Sequence, residues 1–360
     1  MNVLVLGDAA SIHLQRMVRP FVAEGHRVIV AGFAPGEIPG ATVVALPAGA
    51  RGLPLLRFSR KAALLRRLIR EERIDLVHAH AITVYGLLAL ACGRVPMVLS
   101  VHGSDVLLAR EKRWNRIVIR LVSRRVDRIT SPAAHVTEAL VALGAPRDRI
   151  ETFQYGVDLD RFFPAETSVA QGAPLRVIST RALAPLYRVD LLLMALSRIA
   201  CGTPLRATIA GEGPAAEALM RLAWSLGLEE DVRFRGALGE EAIARALRDA
   251  DVYVSATPTD GASLGLLEAM ATGLLPVVAD IPANREWVRH GENGLLFASG
   301  SPDALAEALL AAAHDLPLRE KARALNPEII RERASFEAGI SRISGIYEGL
   351  VQKSSKGSRP

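Results

Sequence analysis

Cysteine is nearly missing from this 360-residue chain. Only Cys92 and Cys201 occur, far apart and without a partner pattern, so neither a disulfide framework nor a thiolate metal site is supported. Long apolar runs are missing as well: no uninterrupted stretch reaches the roughly eighteen residues of a membrane span, and the opening "MNVLVLGDAA" has a short apolar run but no basic leader. These absences predict a protein that is neither secreted nor membrane-spanning and that works in a reducing cytosol. Short-period repeats and low-complexity segments are also lacking. With 50% hydrophobic residues the chain is globular, and its length suggests two domains, each burying its own core.

Positive charge is what the chain has in excess. A net charge of +6 and a pI near 9.7 suit phosphorylated ligands, an anionic membrane or nucleic acid. The basic residues crowd into "RFSRKAALLRRLIREER" (57–73) and "REKRWNRIVIRLVSRRVDR" (110–128), which both read as helices with Leu, Ile or Val at three- and four-residue spacing. Basic amphipathic helices serve either as solvated faces docked on a sheet or as footprints on a membrane surface or polyanion.

Strand and helix alternate along the chain. "NVLVLG", a helix in "HLQRMVRPFVAEGH", "RVIVAGF", "IDLVHAH", a helix at 83–92, "MVLSVHGSD", the long basic helix, "DRITSP" and a helix at 133–143 form a first cycle. The Gly-, Pro- and polar-rich "YGVDLDRFFPAETSVAQGAP" reads as a linker. A second cycle follows: "LRVIST", a helix at 189–200, "LRATIAGEG", a helix at 214–226, "VRFRGAL", a helix at 239–249, "DVYVSAT", a helix near 264–272 and "LPVVAD". This pattern predicts two doubly wound α/β domains with parallel sheets, whose ligands sit beyond the carboxyl ends of the strands. The predicted boundaries are 1–160 for the first domain and 161–335 for the second. A helix at 336–352 is expected to pack back on the first domain, and 353–360 to form a flexible tail. Ser301 is expected to cap the helix of "SPDALAEALLAAAHD", with Pro302 and Asp303 in its first turn.

The segment "TDGASLGLLEAMATGLLPVVA" (259–279) places two carboxylates around a small-residue turn that opens a helix. Amides of Ala262, Ser263 and Leu264 at a helix start suit a phosphate. Glu268 lies one turn beyond Leu264 on the same stripe and leans back toward that start. Amides for phosphate and carboxylates for hydroxyls are what a sugar nucleotide needs. The plain alternative is that Asp260 caps the helix and Glu268 is a surface charge.

The paired acids, with "GDAASIH", "VHAH" (77–80), "VHGSD" (101–105), "YGVDLDRF", "IAGEGP" (209–214) and "NREWVRHGENGLLF" (284–297), resemble the retaining glycosyltransferases of family four over nearly the whole chain. The resemblance implies the GT-B fold, two Rossmann-like domains facing a central cleft. It implies that His102 contacts the donor sugar, that Asp260 holds donor hydroxyls, that Glu268 binds the ribose and that Arg181 meets the departing diphosphate. Amides of the loop from Gly7 to Ser11 are expected to complete the anion cradle, with Gly211, Glu212 and Arg235 on the donor side and Gly211 and Gly213 leaving room for the nucleotide. His13, Arg16, His80 and Asp105 are expected on the acceptor side. Two positions depart from the family pattern: the first acid is Asp rather than Glu, and the lysine expected after the arginine is absent, with Tyr187 and Arg188 nearby and Arg188 as the candidate replacement.

The resulting expectation is a retaining hexosyltransferase using a nucleotide sugar, with a glycan or lipid-linked acceptor such as a cell-envelope precursor. It needs no metal and no cofactor, is cytoplasmic with peripheral contact to the inner face of an anionic membrane, and has no nucleic-acid partner. The alternatives are a non-catalytic sugar-nucleotide-binding protein, a sugar-nucleotide epimerase, and a dinucleotide oxidoreductase suggested by "GEGPAA". The last lacks an acid at the end of "VRFRGAL" to grip a ribose. "DAD" (249–251) and "DLD" (158–160) are read as capping and hinge residues; instead of a metal cluster, His13 is read as an acceptor-side residue and the pair His78 and His80 as strand-end packing or active-site lining.

Overall fold

The computed structural model describes residues 1–34, 36–47, 54–165 and 173–357. It divides into two compact units, one formed by Met1–Tyr155 with Ala338–Pro360 and the other by Gly156–Glu337. The division falls at Tyr155 and Gly156 rather than at 160 and 161. Part of the expected linker, 166–172, lies outside the described residues.

The first unit runs β1 (Asn2–Leu6), α1 (Ile12–Ala23), β2 (Arg27–Gly32), β3 (Thr42–Ala45), α2 (Pro54–Glu71), β4 (Leu76–His80), α3 (Gly86–Ala89), β5 (Met97–Ser100), α4 (Ser104–Leu107), α5 (Arg113–Arg125), β6 (Arg128–Ser131), α6 (Ala134–Ala142) and β7 (Ile150–Thr152). Its strands lie in the order β3-β2-β1-β4-β5-β6-β7, every neighbouring pair parallel. Strands β4 and β5 are buried along their whole length and β1 beyond its first residue, as a parallel sheet covered on both faces requires. The core joins Leu4, Leu6, Ile29, Val77 and Leu99 from the strands to Ile119 and Val122 of α5.

The second unit runs β8 (Leu175–Ser179), α7 (Val189–Ile199), β9 (Leu205–Ala210), α8 (Ala216–Ser225), β10 (Val232–Gly236), α9 (Glu240–Arg248), β11 (Val252–Ser255), α10 (Leu264–Ala271), β12 (Leu275–Ala279), α11 (Pro282–Arg285), β13 (Leu295–Phe297), α12 (Pro302–His314) and α13 (Leu316–Arg333). Its parallel sheet has the order β10-β9-β8-β11-β12-β13. Ser301 caps α12 by accepting from the Ala304 amide, with Pro302 at the first turn.

Several elements differ from the sequence expectation. The edge strands β3, β7 and β13 are three or four residues long, too short for an alternation to register. The expected helix at 83–92 is instead a π-helical turn over Ala81–Tyr85, α3 and a 3-10 turn over Leu90–Cys92. The chain leaves β4 through Ala81 in a left-handed conformation, φ 70°, a backbone state a pattern of apolar residues does not report. The long basic helix is divided as well: α4 and a 3-10 turn at Ala109–Glu111 precede α5, and Lys112, extended at φ −91° and ψ 125°, separates them.

The last helix, α14 (Phe336–Gly357), starts at the end of the second unit and from Ala338 belongs to the first. Its stripe of Ile340, Ile343, Tyr347 and Leu350 is buried. The Tyr347 ring stacks on Phe21 at 4.9 Å, and its hydroxyl shares a 2.5 Å hydrogen bond with Nδ1 of His78 in β4. Residues 353–357 of the expected tail continue this helix; no proline interrupts the ladder before Pro360. Residues 358–360 lie outside the described residues.

Removing the Tyr347 hydroxyl leaves the buried His78 Nδ1 without its partner. Tyr347→Phe is expected to cost about 1–3 kcal/mol of stability, read as a lowered urea midpoint for the unit.

Candidate active site

In a doubly wound sheet the loops that follow two neighbouring strands part where the strand order reverses, and the crevice between them accepts ligands. In the second unit this point lies between β8 and β11, which pair side by side with β9 and β10 to one side and β12 and β13 to the other. The loop after β8 carries Arg181, and the loop after β11 carries Asp260 and Ser263. Arg181 donates to Asp260 Oδ2 at 2.8 Å and to Ser263 Oγ at 2.6 Å, and its guanidinium lies 4.4 Å over the Tyr187 ring. Burial disfavours its charge, but Tyr253 and Asp260 outweigh that and raise its pKa, so Arg181 stays cationic.

Ser263 also caps α10, accepting from the Leu266 amide at 3.2 Å. Both parts of the plain alternative for this segment therefore fail: Ser263, not Asp260, caps the helix, and Glu268 is 7% exposed rather than a surface charge. Helical geometry leaves the Leu264 and Gly265 amides without intrahelical acceptors, next to the Arg181 cation. Gly273, at φ 78°, follows the helix end, as expected of a left-handed cap.

Other donor-side expectations need correction. At Gly211 and Gly213 the place a side chain would take is filled by the neighbouring loop: a Cβ on Gly211 would lie 2.3 Å from the Arg181 carbonyl oxygen, and one on Gly213 would lie 2.4 Å from that of Leu183. Their bare backbone seats the loop that carries Arg181, and the bond from the Leu183 amide to the exposed Glu212's carbonyl, 2.9 Å, holds it there. Arg188, the candidate for the missing lysine, has a partner of its own. It sits at φ 50° and is neutralised by Asp190 through contacts of 2.9–3.2 Å; Tyr187 is the residue against Arg181. Arg235 is exposed on β10 at the sheet edge, not next to the β8–β11 point.

In the first unit the sheet gathers histidines. His78 and His80, two apart on β4, share a face, with ring centroids 4.4 Å apart. His80 Nδ1 lies 3.3 Å from His102 Nε2 at the end of β5, and His13 of α1 lies 6.4 Å from His102 between centroids. The two histidines of "HAH" have separate roles. His78 Nε2 meets Ser100 Oγ at 2.7 Å, and Ser100 Oγ lies 2.6 Å from both Thr130 Oγ1 and Tyr155 Oη; this is internal packing. His80 Nε2 is enclosed and has no hydrogen-bond partner among the described residues, so His80 faces the site.

Burial lowers the His78 pKa to about 3 and holds His80 well below its ordinary value, each also opposed by neighbouring imidazoles. His102 keeps access to solvent as a residue, yet the packing around its ring outweighs the attraction of Asp105 and lowers its pKa. His78, His80 and His102 are therefore neutral at pH 7. Arg16 is half-buried on α1, one turn from His13.

In the loop after β1 the two end amides of the expected anion cradle are already engaged. The Gly7 amide donates to Ala31 O at 3.1 Å and the Ser11 amide to Asp8 O at 2.9 Å. The Asp8 carboxylate brings negative charge to the same loop: burial would raise its pKa, but bonds from the Tyr85 hydroxyl and the Ala34 and Phe33 amides hold it below the ordinary value. Asp105, expected on the acceptor side, accepts from the His102 amide at 2.9 Å and the Ile82 amide at 2.8 Å, clamping the ends of β4 and β5 together. The sequence reading did not identify Asp8, Tyr85, Ser100, Thr130, Tyr155 or Tyr347 as partners, because each bond joins residues at least 22 positions apart. It also missed Thr180 and Tyr253, whose hydroxyls lie 2.6 Å and 2.9 Å from where a Gly265 Cβ would stand.

The buried imidazoles make stability depend on pH. Unfolded histidine takes up a proton near pH 6.5, whereas folded His78 refuses one until about pH 3. Their contribution is present above pH 6.5 and is lost as pH falls below it, by up to about 1.4 kcal/mol per pH unit for each such group. The urea midpoint is expected to fall between pH 7 and pH 5, with a smaller fall in His78→Gln.

Two family profiles match the chain: Glycosyltransferase Family 4 over residues 10–161 and Glycosyl transferases group 1 over residues 165–327. The chain is 32% identical over 284 residues to a D-inositol 3-phosphate glycosyltransferase of Nocardia farcinica, covering 73% of this chain and 58% of that protein. It is 39% identical over 132 residues to a phosphatidyl-myo-inositol mannosyltransferase of Mycobacterium leprae, covering 36% and 35%. These matches span less than two thirds of either relative's length. Among solved structures, Anabaena Alr3699/HepE in complex with UDP and glucose superposes with a TM-score of 0.82 at 20% identity, over 97% of this chain and 100% of that one. The paired profiles, in this order over two doubly wound sheets, place the chain in the family-four glycosyltransferases of GT-B fold.

Proposed function

We propose that this protein transfers a hexosyl group from a nucleoside diphosphate sugar to an acceptor hydroxyl with retention at the anomeric carbon. The observation that carries this reading is the Arg181 cation held beside the start of α10 by Asp260 and the capping Ser263. In the reaction the bond from the anomeric carbon to the phosphate oxygen breaks, and its electron pair leaves with the diphosphate. The acceptor oxygen bonds to the same face of the carbon, and its proton passes to the departing phosphate oxygen. Positive charge grows on the sugar and negative charge on the diphosphate, so a preplaced cation and unengaged amides lower the barrier. Arg181 and the Leu264 and Gly265 amides receive the diphosphate, Glu268 the ribose, Asp260 the sugar hydroxyls, and His102, neutral and backed by His80, the region of the reacting carbon.

No metal or cofactor is needed in this scheme, because Arg181 and the helix start supply the charge. The acceptor is a lipid-linked or glycan precursor. Support comes from the relatives' names, one of them a phosphatidyl-myo-inositol mannosyltransferase, and from the excess of basic residues. The protein is placed in the cytoplasm, at the inner face of a membrane, and no nucleic acid takes part. The proposed placement is peripheral; no helix of the described residues is long and apolar enough to cross a membrane.

A thermal-shift panel of nucleoside diphosphate sugars, followed by transfer assays, tests the reading; no stabilisation and no turnover with any donor would overturn it. His102→Ala and Glu268→Ala are both expected to lower kcat by about 10²-fold or more, while only Glu268→Ala greatly weakens nucleoside diphosphate binding, measured by calorimetry. Transfer is expected to continue unchanged in excess EDTA.

A further inference from the structure

Helix α5 carries two apolar faces, and the fold uses one. Val118, Ile119 and Val122 point into the core. Trp114, Ile117 and Leu121, spaced three and four residues apart, form a second stripe that is 70%, 58% and 54% exposed, and Leu108 just before the helix is 41% exposed. On a helix these three positions lie within about 60° of one another. Large apolar side chains in a row on one exposed stripe are more than the isolated ones a soluble surface tolerates.

The charge beside the stripe identifies what covers it. Within Arg113–Arg125 there are five arginines and no acid, and helical spacing puts Arg113, Arg120 and Arg124 along one border of the stripe. Among the described residues none of Arg113, Arg116, Arg120 and Arg124 pairs with a carboxylate; Arg116 reaches only the Arg110 carbonyl, at 2.6 Å. The other basic helix differs. In α2, Arg67 is paired with Glu71 at 2.8 Å, Arg66 donates to Ala91 O at 2.9 Å and Lys61 lies over the Phe33 ring at 5.0 Å. An exposed tryptophan and aliphatic stripe bordered by unpaired arginines matches a bilayer surface with anionic headgroups: the apolar side chains enter the acyl boundary and the guanidiniums stay with the phosphates.

We propose that α5 is a membrane-docking helix, seating Trp114, Ile117 and Leu121 in an anionic phospholipid surface while its arginine border holds the headgroups. This assignment deepens the lipid-acceptor reading and rests on it for its purpose. The docking experiment uses neither donor nor acceptor, so failure of one is told apart from failure of the other.

The full chain is mixed with vesicles of phosphatidylcholine alone or with added phosphatidylglycerol, and partition is read by sedimentation and by tryptophan emission. Binding is expected with phosphatidylglycerol at low salt, with a blue shift, and to weaken as salt rises. Trp114→Ala and Leu121→Ser are expected to lower the partition about tenfold or more each. Trp224→Ala, removing a tryptophan that is 71% exposed on α8, should leave it unchanged. Arg116→Gln with Arg120→Gln should reduce binding at low salt. Nucleoside diphosphate binding serves as the folding control and should be the same in every variant. Absence of vesicle binding by the unaltered chain, or equal binding by Trp114→Ala, overturns the proposal. So does sedimentation equilibrium showing a dimer that Trp114→Ala dissolves while vesicles are ignored, since a second copy would then be the occupant.

Discussion

A cation drawn into the protein has to be held by something, and in the second unit that requirement organises the site. Arg181 has lost most of its water, and Asp260, Ser263 and the face of Tyr187 replace it. These partners come from the loops after two strands that lie side by side but send the chain in opposite directions, so the ion pair forms only if the parallel sheet is built in its observed order. The same bonds fix the start of α10, because Ser263 serves the arginine and the helix at once. Gly211 and Gly213 follow from this constraint: their backbones approach the Arg181 loop too closely to carry a side chain.

The first unit meets the opposite difficulty, that of keeping titratable rings uncharged. His78, His80 and His102 are brought together by two adjacent parallel strands, and burial holds all three below the ordinary imidazole value. In the proposed transfer a neutral His102 meets a sugar that is developing positive charge without repelling it. The rear of the cluster is closed by Tyr347, which brings the last helix of the chain into the polar network behind the histidines. The C-terminal residues of α14 are therefore part of the scaffold behind the site and not an appendage.

This member of the family-four glycosyltransferases joins a polar interior to an unusual exterior. At the ends of the sheets Arg181 is bound to Asp260, Arg188 to Asp190 and Asp8 to Tyr85. On α5, arginines stand without acids beside exposed Trp114, Ile117 and Leu121. A surface built that way is costly in water and is stabilised by an interface that offers both anions and hydrocarbon.

The sequence by itself determined the alternation of strand and helix, the two parallel sheets and the helix starts at Ser263 and Ser301, and the family resemblance it carries singled out Arg181, Asp260, Glu268 and His102 as site candidates. These are legible because periodicity, caps and motif spacing are local. The edge strands β3, β7 and β13 escaped it, being too short to carry a period, as did the turn at Ala81, which depends on a φ angle. Tertiary structure alone decided that Arg181 meets Asp260 and Tyr187 while Arg188 turns to Asp190, that the Gly7 amide is taken by β2 and the Ser11 amide by Asp8, and that His78 belongs to Tyr347 and Ser100. Those outcomes depend on which loops the strand order brings together, and burial then sets the charge of the groups that meet; neither is encoded in the spacing of residues along one segment.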